Sequence, residues 1–67
     1  MSDAAEIKAL GDSLDPDITF DMDACEAFTA VPKMFRKMAL KASVKAAKEK
    51  GLTVVTKELA ESLKPGG

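Results

Sequence analysis

Histidine, tryptophan and tyrosine are missing from this 67-residue chain, and cysteine occurs once, at Cys25. Without histidine, nucleophile–base pairs of the Ser-His or Cys-His kind cannot be assembled. A single cysteine excludes an internal disulfide framework, and the usual iron–sulfur and haem sites lack their ligands. Cys25 itself reads as a small buried hydrophobe rather than a reactive thiol. No catalytic, cofactor-binding or metal-binding residue is therefore expected. No secretory leader is visible and no apolar run is long enough to span a bilayer, so the expected compartment is the cytoplasm. A chain of this length fills one domain at most and buries only about 60% of its unfolded surface. Its stability could lean on a partner or a dimer.

What the chain does have is one long helical stretch, from Val31 to Leu52, holding seven of the ten basic residues. Pro32 suits a first helical position, where its missing N–H costs nothing, and strong helix formers follow it. Gly51 can take the left-handed conformation after the last turn, and Leu52 can then fold back on Ala46 or Ala47. The predicted helix, residues 32–50, would be about 28 Å long. Helical spacing puts Phe35, Ala39, Ala42 and Ala46 in one apolar stripe, widened by Met38. Leu40, Val44 and Ala47 form a second. An arc this broad suits a helix touched from two sides. Lys37, Lys41, Lys45 and Lys48 fill most of the remainder.

The flanks are shorter. Residues 1–18 are acidic and broken by Gly11 and Pro16; they read as a flexible or weakly helical tail, in which Ser2 could cap a short helix carrying Ile7 and Leu10. A firm helix starts near the N-cap Asp21, with Phe20 and Cys25 as a hydrophobic staple. Ala24, Ala27, Phe28 and Val31 give it one buried face, and it ends near Ala30 because a residue before proline avoids the α region. Beyond Gly51 come a short extended link, residues 53–55, and a helix capped by Thr56 with Leu59 and Leu63 on one side. Pro65-Gly66-Gly67 then reads as a disordered C-terminus. The expectation is an all-α, three-helix domain (short–long–short) over residues 19–64, behind a flexible acidic segment. Its expected core is Phe20, Ala24, Phe28, Val31, Phe35, Ala39, Ala46, Leu52, Val54, Leu59 and Leu63.

The net charge of −1 hides an asymmetry. Residues 1–30 carry eight acids against Lys8, a net −7, and residues 31–50 carry seven bases against Glu49, a net +6. Such a split suits internal pairing, or a basic face meant for an outside partner. That face has three readings: a solvated surface partly paired with the acidic segment, a nucleic-acid-binding lysine row, or a membrane-surface or peptide-groove helix edged by Met34, Phe35 and Met38. The acidic total, the single arginine and the lack of Asn or Gln for base edges weigh against nucleic acid. The flanking helices weigh against the third reading by placing Met34, Phe35 and Met38 in the core. Asp15, Asp17, Thr19, Asp21, Asp23 and Glu26 fall on the spacing of a calcium-binding EF-hand loop. Phe20, however, sits where that loop turns on glycine, and a helix starting at Asp21 would straighten it.

Taken together, Phe20, Ala24, Phe28, the Val31-Pro32 step, Arg36, Ala39, Ala47-Lys48-Glu49, Gly51 and the Val55-Thr56-x-Glu58 cap resemble a known small domain. They are similar to the PCP-red domain, the C-terminal domain of the B subunit of light-independent protochlorophyllide reductase, over about residues 20–64. The most specific piece is the apolar-Pro-x-x-x-Arg step into a long helix that closes on Ala-basic-Glu-x-Gly. Phe20 stands where the family tends to have Trp, Val44 where a Glu is expected, and Lys37 where a small residue is commoner. The resemblance implies a compact helical domain attached to a nitrogenase-like subunit, in a complex that reduces a tetrapyrrole ring during chlorophyll or bacteriochlorophyll synthesis. Cluster and substrate pocket belong to the larger part of that enzyme. An accessory, non-catalytic role is implied here, with Arg36, Lys37 and Lys41 meeting a protein partner such as a nitrogenase-like reductase. The alternative is a small helical nucleic-acid-binding module that uses the lysine row.

Overall fold

Residues 2–63 are described by the computed structural model, so the disordered end expected at residues 65–67 lies outside them. In chain order the elements are α1 (Asp3–Leu14), β1 (Thr19–Phe20), α2 (Met22–Phe28), α3 (Lys33–Glu49), β2 (Val54–Val55) and α4 (Lys57–Ser62). The fold is all-α, with four helices among the described residues rather than three. β1 and β2 add one short parallel pairing, Thr19 opposite Val54 and Phe20 opposite Val55.

The segment read as flexible or weakly helical forms the helix α1 over Asp3–Leu14. Ser2 does cap α1, its hydroxyl accepting the Ala5 N–H at 3.2 Å. The helix then runs straight through Gly11. Ala4, Ile7 and Gly11 are buried on it, as is Ile18 after it. Gly11 is a contact point and no breaker: a Cβ there would come within 2.7 Å of the Phe20 ring. Phe20 meets Phe28 edge-on, with ring centroids 6.1 Å apart. Two ion pairs fasten α1 along α3, Asp3 to Arg36 and Asp15 to Lys48. The partners are separated by the same number of residues on both helices, so α1 and α3 run side by side in the same direction.

Side chains of α1 also complete the strand pair. The Thr19 and Asp21 N–H groups donate to Thr53 and Val55 carbonyls, which leaves the Phe20 N–H and C=O facing the other way. Asp12 accepts that N–H at 2.9 Å, and Lys8 donates to that carbonyl at 2.8 Å. Lys8 and Asp12 are themselves bonded at 3.0 Å. Both outward backbone groups of a buried residue are thereby satisfied.

The other boundaries follow local chemistry closely. Asp21 caps α2, although without a side-chain bond, and α2 stops at Phe28. A turn follows in which the Thr29, Ala30 and Val31 N–H groups donate three residues back. Pro32 is the cap of α3 rather than its first residue. At the far end Gly51 has φ +73°, and the Gly51 and Leu52 N–H groups reach the Lys48 and Ala47 carbonyls at 3.1 and 2.8 Å. Those are the paired bonds of a Schellman cap. Thr56 caps α4, its hydroxyl accepting the Leu59 N–H at 3.3 Å.

The core is displaced from the one expected. Phe20, Ala24, Phe28 and Leu59 are buried, and Val31, Ala39, Ala46 and Val54 are half-buried. Phe35, Leu52 and Leu63 are exposed instead. The buried face of α3 is Leu40, Ser43 and Ala47, so Leu40 and Ala47 of the second stripe are buried with Ser43, and Val44 is half-buried. Ser43 can enter an apolar core because its hydroxyl donates to the Ala39 carbonyl at 2.9 Å, one turn back, so no polar group is left unpaired.

Candidate binding groove

α3 was expected to be touched from two sides, and its own chain covers mainly one. The Leu40 side packs under α1 and β2. The Phe35 side opens onto a groove of about 690 Å³ between α2, α3 and α4. That volume lies within the range of ligand sites, roughly 300–1,000 Å³. Phe35, Met38, Ala39 and Ala42 form the α3 wall; Ala27, Ala30 and Val31 come from α2 and the turn after it, and Ala60 and Leu63 from α4. The charged groups at its margin are Glu26, Lys57 and Glu61. Alanines make the floor deep because they leave the backbone within reach of an occupant.

Large apolar side chains stand in water at its lip. Phe35 is 51% exposed, Met38 70%, and Met34, one residue before Phe35, 81%. Together they form an exposed apolar lip along the α3 side of the groove. The apolar edge read from the sequence is thus present as a surface, where the core assignment would have hidden it.

Arg36, Lys37 and Lys41 do not form one site. Arg36 is directed inward, its side chain only 12% exposed. Its Nε donates to the Val31 carbonyl at 2.9 Å and its Nη2 to the Thr29 carbonyl at 3.0 Å, with Asp3 a further 3.6 Å contact. Arg36 therefore clamps the α2–α3 turn that forms one end of the groove. Lys37 and Lys41 are exposed, one turn apart. Lys41 follows Met38 by three residues and Lys45 follows Ala42 by three, so these two lysines border the α3 wall. Lys48 leaves the row: it holds Asp15, whose carboxyl is pulled below its ordinary value by that bond and by the Asp17 N–H. The same partner raises the Lys48 ammonium.

The remaining candidates are engaged elsewhere. Cys25 is buried, and burial pushes its thiol up, away from the thiolate. Of the EF-hand positions, Asp15 faces Lys48, Thr19 lies in a strand and Asp21 opens α2. Among the described residues no three His, Cys, Asp or Glu side chains gather as a metal site. No helix among them is long and apolar enough to cross a membrane. Comparison with known proteins gives no relative: no family model, no curated protein and no solved structure matches the chain.

Proposed function

We propose that the chain is a non-catalytic accessory domain that seats an amphipathic helix of a protein partner in the α2–α3–α4 groove. The uncovered half of α3 carries this reading: an apolar arc built for two contacts meets only one within its own chain. Helix-in-groove recognition uses such a surface, with apolar anchors at helical spacing entering a hollow and charges at its edge fixing register. The PCP-red resemblance supports a nitrogenase-like reductase subunit as the partner, in the setting of chlorophyll or bacteriochlorophyll synthesis. Lys37 and Lys41 would meet acids at that partner's edge, and Arg36 would act from inside by holding the groove's end.

The test is sedimentation of the chain with a light-independent protochlorophyllide reductase B subunit deprived of its own C-terminal domain. A one-to-one complex is expected, weakened at least about tenfold by Met38→Asp in a chain that stays helical. No complex, or one indifferent to that substitution, rejects the reading. The exposed lysines favour a second reading, nucleic-acid binding, which demands a log–log salt slope of about −0.9 per phosphate contact. A flat response on random duplex removes it.

A further inference from the structure

We infer that the free chain covers this groove with a second copy of itself, in a two-fold dimer whose α3 helices each lie along the partner's α2–α4 wall. The groove has the two halves of a self-complementary contact side by side. Met34, Phe35 and Met38 project from α3, and Ala27, Ala30 and Ala60 form a hollow opposite them. A two-fold operation places the projection of one copy over the hollow of the other, twice.

Charge selects the direction of the axis. Lys41 and Lys45 border the α3 wall, whereas Glu26 and Glu61 stand at the other together with Lys57, so that wall keeps a net acidic charge. An axis across α3 would set α3 against α3 and lysine against lysine. An axis along α3 sets each lysine pair against the partner's net acidic wall, and of the two arrangements that one brings opposite net charges together. A standard interface takes about 800 Å² per partner, under a fifth of the 4318 Å² this chain exposes. The same face would be closed to a foreign helix while the dimer persists, so dimer and partner complex compete. The dimer does not depend on the partner's identity.

Sedimentation equilibrium of the full chain over a concentration series tests this. A monomer–dimer equilibrium is expected, weakened by salt because its rim charges are screened and at least about tenfold by Met38→Asp. Glu26→Lys/Glu61→Lys and Lys41→Glu/Lys45→Glu chains should each be monomeric while retaining their circular dichroism, and should associate when mixed. Zero-length carbodiimide coupling should join Lys41 or Lys45 of one copy to Glu26 or Glu61 of the other. A chain that stays monomeric at millimolar concentration overturns the dimer, even if it still binds a reductase subunit. A dimer unmoved by Met38→Asp, or charge variants that do not rescue each other, overturns it too. A dimer that meets every criterion yet ignores the reductase subunit supports it and discards only the partner reading.

Discussion

Gly11 is where the first helix touches the centre of the molecule. Alanine there would gain about 1 kcal/mol of helix propensity. Its methyl would also press on a Phe20 ring that is buried and held edge-on by Phe28. Overpacking of that kind costs about 1–3 kcal/mol, so Gly11→Ala should lower the unfolding midpoint in urea despite its better propensity. Arg36 makes the opposite kind of contribution. Removing it takes the donor from the Val31 carbonyl in a part-buried bond and leaves the exposed Thr29 carbonyl to water, and bonds from a charged donor are worth about 1.5–3 kcal/mol. Arg36→Ala should therefore cost on the order of 2 kcal/mol in chemical denaturation. Arg36→Lys should recover little, because an ammonium cannot reproduce the guanidinium fork. Equal stability of the lysine variant would show that charge near Asp3, not the fork, is what matters.

The helices whose ends are set by neighbouring residues were legible in the chain: Asp21, Pro32, Gly51 and Thr56 mark boundaries where local chemistry puts them. Gly51 allows a direct check. Its φ is +73° and nothing lies within 4 Å of where a Cβ would stand, so only backbone strain opposes a side chain. Gly51→Ala should cost about 1–2 kcal/mol in thermal unfolding and leave the fold intact. α1 was legible at its Ser2 cap and in the buried Ile7, whereas Leu10, read on the same side, is exposed. Its acidic residues and internal glycine read as a loose segment because their partners lie far along the chain: Asp12 and Lys8 on the Phe20 backbone, Asp15 on Lys48, Gly11 under a ring. No local pattern encodes those distances. On α3 both stripes were visible, but not which one its own chain would cover, nor that Ser43, polar by type, would join the buried face.

At the scale of the whole molecule, the charge split works partly as an internal clasp. Asp3–Arg36 and Asp15–Lys48 bring the acidic segment onto the basic helix, while Lys37, Lys41 and Lys45 enter no ion pair among the described residues. The Asp15 carboxyl lies below its ordinary 3.8 in the folded chain. Its stabilising contribution is complete above that ordinary value and disappears as pH falls through the lowered one. The Lys48 contribution runs the other way, complete below 10.5 and lost as pH rises through its raised value. A melting-temperature profile against pH should thus sag at its acid end in the native chain and flatten there in Asp15→Asn. An unchanged acid limb would assign the sag to other carboxylates.

The fork that Lys8 and Asp12 place on Phe20 reaches further than the stability of one residue. By occupying the outer rail of β1, it denies that rail to any extended peptide that could add on as a further strand. Replacing Asp12 by Ala would leave the Phe20 N–H without its acceptor, and truncating Lys8 would strip the Phe20 carbonyl of its donor. Either change reopens the rail at a residue whose side chain is buried.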